Sequence, residues 1–429
     1  MNSILSLPIS LRLLALFVAG TVVGSLANLG IYRLGWNRRT ISPWSRPAAG
    51  GHRAEHGPPR RWWDRLAVVG WLGLRREAGI HGRGFWVRPM LLELALGATF
   101  ALLYWWEIGA LGLLGLVGPP QAPRPALMML LHHQYAAHAV LLSFMWMAIW
   151  IDIDERTIPD TVTIPGTLAA LALMALWPSS LLPDVKTVPN GPPTMYLVML
   201  TSPNDDQPWL RAAWMGWRAL ALGVGCYVLW CLALLPRSWY RRHGLRRAWQ
   251  LLVARLVRQR STCLILAMGL AGSAAIAGVW AWGSMHWAGL LSGLVGLAIG
   301  GGIVWIIRVL GFLVLRREAM GFGDVTLLAM IGAMLGWQAA VLVFFLAPLL
   351  GIVVGLVGWV VRGQSEIPYG PFLCLAAMIT VIAWAPIWGH FQIAFALGWW
   401  LLAVLAVCLA MIVVLLPLVR AILALFRRA

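Results

Sequence analysis

Along the whole chain, apolar runs of about 20 residues, the length at which a helix matches the ~30 Å hydrocarbon core of a bilayer, alternate with short polar segments. Read as helices, these runs predict about eleven spans in an all-α, polytopic transmembrane bundle. The first span covers residues 4–32, and the second begins after Arg88 with PMLLELALGATFALLYWW. The third runs from about 126 to 150, the fourth from about 161 to 177 and the fifth from about 212 to 235. A hairpin follows at about 262–282 and 288–313, then a short helix from 325, a longer one to Val361 and two further spans before the terminal RRA.

The polar segments give the spans a direction. Residues 33–88 carry twelve arginines and residues 236–260 form a second Arg-rich loop, so both are expected in the cytoplasm. With the first span entering from outside, the threading leaves Arg124, Lys186 and Arg211 as the clearly external basic residues. The SLA at 25–27 faintly resembles a signal-peptide cleavage site. Cleavage there would export the loop 33–88, so an uncleaved first span is the expectation. The segment 178–211, rich in Pro, Asn and Asp, is expected outside as a periplasmic insertion without a fold of its own. Within the second basic loop, RRAWQLLVARLVRQR has the spacing of a helix lying on the inner leaflet.

Composition strengthens this picture. The chain is 61% hydrophobic and 11% charged, with a mean hydropathy of +0.80. Its net charge of +18 does not indicate nucleic-acid binding: the arginines sit in membrane-flanking loops with no nucleic-acid motif, where anionic lipid is the partner. The five cysteines form no C-x-x-C, so no disulfide framework or thiolate metal site is expected.

Candidate chemistry sits at the membrane boundary. The third span ends in MWMAIWIDIDERTIPD, and the seventh leads into GFGD, 172 residues further on. The threading puts Asp152 and Asp324 on the same, cytoplasmic, side. A carboxylate beside hydrocarbon is costly and marks a functional site. Two brought together share a proton, the arrangement in which one carboxylate activates water while the other protonates a carbonyl oxygen. Gly321 and Gly323 let a substrate strand come close, and Asp324 opens a helix whose N-terminal dipole favours a carboxylate. Asp154, Glu155 and Asp160 read more simply as interfacial charges, with Asp160 a helix cap.

At this point the residues resemble the type IV prepilin peptidases, the G-x-G-D membrane aspartic proteases. The similarity is carried in order by GTVVGSLANLGIYRL (20–34), RPMLLELALG (88–97), IDIDERTIPD, REAMGFGDVTLLAMIGAMLGWQ (317–338) and IPYGPFL (367–373). The resemblance implies that Asp152 and Asp324 are the catalytic pair, with Glu318, Gly321, Gly323, Pro159 and Glu93 in supporting positions. It implies an enzyme of the bacterial inner membrane, its site facing the cytoplasm, that removes the short basic leader from prepilin or pseudopilin precursors. It also implies possible N-methylation of the new N-terminus from S-adenosylmethionine. The peptidase itself would need no cofactor or metal.

The resemblance divides the chain into a first span (1–32), a basic loop (33–88) and a peptidase core (89–429) with spans and loops inserted at about 178–285. The loop 33–88 lacks the two cysteine pairs that many relatives carry there. His52, His56 and His81 make a weak metal set, and no S-adenosylmethionine site is recognisable. Thr326 stands where a lysine is expected. His132, His133 and His138 lack the i, i+4 spacing of a helical metal pair and read as polar packing. Most of the 27 tryptophans read as interfacial anchors. The other readings are an inactive scaffold of a pilus or secretion system, and a transporter. A transporter would want ionisable groups at mid-membrane, where Arg218, Arg308 and the histidines are the main examples.

Overall fold

The computed structural model describes residues 7–37, 60–115, 125–186, 194–204, 214–235, 259–315, 320–362 and 368–398, with isolated positions at 41, 43, 44, 400, 403, 404, 406, 407 and 411. Its helices are α1 (Ile9–Leu34), α2 (Val87–Tyr104, continued by a π-turn over Trp105–Gly109), α3 (Pro125–Glu155), α4 (Asp160–Leu176), α5 (Trp217–Ala233) and α6 (Arg260–Trp282). There follow α7 (Ser284–Leu315), α8 (Phe322–Leu335), α9 (Trp337–Arg362), α10 (Gly370–Ile382) and α11 (Trp384–Ala396). The first nine expected spans fall on helices α1 to α9, whereas the last, before the terminal RRA, lies largely outside the described residues.

Their lengths divide them. Six (α1, α2 with its π-turn, α3, α6, α7 and α9) are long and apolar enough to cross a membrane, while α4, α5 and α8 are shorter apolar helices. α10 and α11 meet at 95° and make a seventh span only if taken as one broken unit. Among the described residues the eleven expected spans thus become six or seven by length and composition.

The short helix α8 is the centre of the bundle, and every residue from Asp324 to Leu335 is buried. It packs chiefly on α7 and α4. The approach of α7 is close because small residues line its contact face: a Cβ at Gly300 would lie 2.5 Å from the Leu328 carbonyl oxygen. Small residues at a helix crossing let backbones touch where lipid offers no hydrophobic driving force.

The basic loop 33–88 is folded where it is described. Residues 60–81 form four short helical turns with Trp71 and Leu74 buried. Buried carboxylates hold it together: Asp64 pairs with Arg76, and Glu77 pairs with Arg60 at 2.9 Å. His52 and His56 lie outside the described residues, as does most of 236–260, while His81 sits 3.5 Å from Glu77.

The insertion 178–211 differs from expectation. It contains a two-stranded antiparallel sheet, β1 (Pro183–Lys186) with β2 (Thr194–Leu197). The physical reason is that Leu181, Leu182 and Val198 find a buried place, while side chains of the bundle take up the hairpin's polar groups. Gln134 and Trp384 donate to the Leu181 and Pro183 carbonyls at 2.6 and 2.7 Å, and Trp388 donates to Asp184 at 2.8 Å. These tryptophans are packing residues rather than interfacial anchors, as are the fully buried Trp71 and Trp287. The α3 histidines are engaged locally, His132 with Tyr104, His133 with Ser179 and His138 with Glu107.

Candidate active site

The acidic end of α3 sends its side chains to different places. Met145, Ala148, Ile151 and Asp152 share the buried face, whereas Ile153 is 46% exposed. Asp154 pairs with Arg88 at 2.8 Å. Glu155 accepts the backbone N–H groups of Trp36 and Asn37 at 2.6 and 2.8 Å and so caps the exit of α1. Arg156 then adopts a left-handed conformation (φ 55°) that stops the helix. Ile158 and Pro159 turn the chain back, and α4 starts at Asp160.

The second acidic residue comes from the opposite half of the chain. Gly321 caps α8, whose first turn carries Asp324. Gly323 is needed for space: a Cβ there would lie 2.8 Å from Ile158 Cβ and 2.9 Å from its carbonyl oxygen. The glycine therefore seats the first turn of α8 on the Ile158–Pro159 turn. A third helix start, that of α10, completes the arrangement when Gly370 donates its backbone N–H to Asp152 at 3.1 Å.

Three helix N-termini, those of α4, α8 and α10, thus converge, and each contributes unpaired N–H groups and positive dipole ends that favour carboxylates. Between them lies a cavity of about 840 Å³ lined by both Asp152 and Asp324, by Pro159, Gly321 and Gly323, and by Gly35 and Trp36 at the end of α1. The two carboxylates are close enough to repel each other, and the Arg308 guanidinium acts on Asp324 in the opposite sense. Tyr369, in the turn before α10, also lines the cavity. Burial and the Asp324 carboxylate push its phenol above the usual range.

Of the residues expected from the sequence, Asp152, Asp324, Gly321, Gly323 and Pro159 come together here. Glu318 lies outside the described residues. Glu93 is fully buried elsewhere, where Asn28, Val68 N–H and Trp71 donate to it at 3.1, 2.6 and 2.7 Å. That position ties the basic loop to α1 and α2. Gly370, Tyr369 and Asp160 belong to the site without having been singled out for it. The IPYGPFL block was the available signal for the first two, and Asp160 reads equally well as a helix cap.

Residues 252–356 match the Type IV leader peptidase family. The match takes in Gly321, Gly323 and Asp324, stops short of Asp152, and begins inside the stretch 178–285 expected to be inserted. The chain is 33% identical over 101 residues to a prepilin leader peptidase/N-methyltransferase of Legionella pneumophila, covering 23% of this chain and 33% of that protein. It is 37% identical over 99 residues to one from Pseudomonas putida (22% and 34%). The one from Aeromonas hydrophila is 36% identical over 110 residues (22% and 38%). The chain thus spans a third to two fifths of the length of the curated relatives it matches. No solved structure matches it. The resemblance to the type IV prepilin peptidases holds over this region.

Proposed function

We propose that this chain is an aspartic endopeptidase of the bacterial inner membrane that removes the short basic leader from prepilin or pseudopilin precursors at the cytoplasmic face. The observation that carries this reading is that Asp152 and Asp324 line one cavity although 172 positions separate them. The similarity of residues 252–356 to the Type IV leader peptidase family supplies the substrate class.

Two adjacent carboxylates hold one proton between them. The ionised member takes a proton from water as the water oxygen attacks the scissile carbonyl carbon. The protonated member gives its proton to the carbonyl oxygen, producing a neutral tetrahedral diol. Collapse of the diol transfers a proton to the leaving amine and breaks the C–N bond, and the pair again holds one proton. The helix starts of α4, α8 and α10 hold the carboxylates in place, and the cavity admits both water and an extended peptide. Asp160, on the same cavity, adds negative charge for a basic leader.

Methyl transfer is not part of the proposal. A methyl donor such as S-adenosylmethionine would need polar groups for its ribose, and in the described part of the loop these are occupied. Asp64 is engaged by Arg61 and Arg76, Glu77 by Arg60 and His81, and Glu93 by Trp71 and Val68. No step through a methyl donor is proposed.

The test is cleavage of a prepilin-like precursor by the full chain in reconstituted membranes, beside Asp152→Asn and Asp324→Asn. Cleavage after the leader by the native chain, abolished in both variants, supports the reading. Undiminished cleavage by either variant removes the two-carboxylate mechanism.

A further inference from the structure

A second recess adjoins the carboxylate cavity. It has a volume of about 170 Å³ and lies between α5, α7 and α8, with Cys226, Leu229, Gly302, Trp305, Phe322 and Val325 on its walls. Phe322 lines both spaces, so the recess borders the candidate active site.

The recess is apolar. Thr326, which also lines it, donates its hydroxyl back to the Gly323 carbonyl at 3.1 Å. Its floor is open at Gly302, where an added Cβ would meet nothing within 4 Å. Large apolar side chains stand exposed around it: Leu229 at 63%, Leu232 at 49% and Trp305 at 41%. In a membrane protein, small residues flanked by large ones form a surface on which another helix packs closely. The volume suits side chains of such a helix, with its body lying along α5 and α7.

We propose that the recess receives the apolar helix that follows the scissile bond in a precursor. This rests on the peptidase reading, which requires a substrate whose cleaved bond lies beside a membrane-embedded helix. The shared wall at Phe322 points to the occupant. A chain with its scissile carbonyl at Asp152 and Asp324 that leaves past Phe322 then lays its apolar side chains against the apolar wall of α5 and α7. The helix sets the register of the scissile bond, so the site selects precursors by their membrane segment as well as by their leader.

Cys226 provides a native chemical probe. Single cysteines are placed through the first three turns of the apolar segment of a precursor, in vesicles containing the full chain, and oxidised with copper phenanthroline. The expected result is a disulfide to Cys226 from positions on one helical face only, lost in Cys226→Ser. Cys263, exposed on α6, reports random encounter. Gly302→Trp fills the recess and is expected to raise KM at least tenfold for a full precursor, with a clearly smaller effect on a soluble leader peptide that ends shortly after the scissile bond. Cleavage of the leader peptide without face-selective cross-linking, or equal effects of Gly302→Trp on both substrates, overturns the proposal and leaves the recess to a lipid chain. Failure of the native chain to cut either substrate overturns the peptidase reading itself.

Discussion

Gly370 places its backbone N–H 3.1 Å from the Asp152 carboxylate, tying the first turn of α10 to the last turn of α3 across 218 residues. A Cβ at this position would lie 2.6 Å from Asp152 Oδ2 and 2.7 Å from Ile158 Cδ1. Gly370→Ala therefore has to push the carboxylate out of line. Misplacement by about 1 Å can cost on the order of 100-fold in rate, so kcat for precursor cleavage should fall by about that factor while the protein stays folded in detergent. Cleavage at the native rate would show that this contact does not position Asp152.

Gly323→Ala tests the seat of α8. The new methyl would fall against Ile158 Cβ and carbonyl oxygen, and overpacking of this kind costs about 1–3 kcal/mol. A lowered thermal transition together with lost activity is expected. Restoration of part of the activity by a second change, Ile158→Gly, which removes the opposing Cβ, would locate the clash in the side chain rather than in the backbone.

The pair should impose its signature on pH dependence. Catalysis needs one proton on two carboxylates, so kcat/KM should fall both where the pair is doubly protonated and where it is fully ionised. A bell-shaped profile is the expectation for the native chain. A profile that is flat from pH 4 to 9 would place the chemistry elsewhere, with the pH range taken from about the ordinary carboxylate values upward.

Asp160 lines the cavity without a place in the proton transfers. Asp160→Asn should raise KM for a leader rich in lysine or arginine, by about threefold to tenfold at low salt, with kcat changed little. Raising the salt concentration should narrow the difference, because exposed charges are screened over about 10 Å at 0.1 M. A KM that ignores both the substitution and the salt would remove Asp160 from leader recognition.

Trp71→Phe addresses the basic loop. It deletes the indole N–H that reaches Glu93 at 2.7 Å and leaves a buried acceptor short of a partner, at a cost of about 1–3 kcal/mol. Limited proteolysis should then cut residues 60–86 faster, whereas the pH profile of the remaining activity should keep its shape.

The apolar helices were legible because run length is a local signal, and Asp152 and Asp324, which the structure brings to one cavity, stood out as charges beside apolar runs. The length classes were not. α8 reads as an ordinary apolar stretch, and only its complete burial under α7 and α4 shows it to be the bundle's centre. The hairpin at Pro183–Leu197 was hidden by its prolines and asparagines, because the groups that hold it, Gln134, Trp384 and Trp388, come from distant helices. Glu93 shows the converse: a local resemblance placed it among the site residues, and its donors place it under the loop.

The convergence of α4, α8 and α10 has a consequence for where water can be. At about 1.5 Å per residue, helices of 17, 14 and 13 residues reach about 26, 21 and 20 Å, short of a ~30 Å hydrocarbon core. Three neighbouring helices that begin together and are all too short leave a dent in the protein on that side, and the cavity is that dent. A peptide bond there is wet while the residues just beyond it are still in lipid. For the proposed peptidase, hydrolysis would then need only local fraying of the substrate helix, with the rest of the precursor kept in the bilayer.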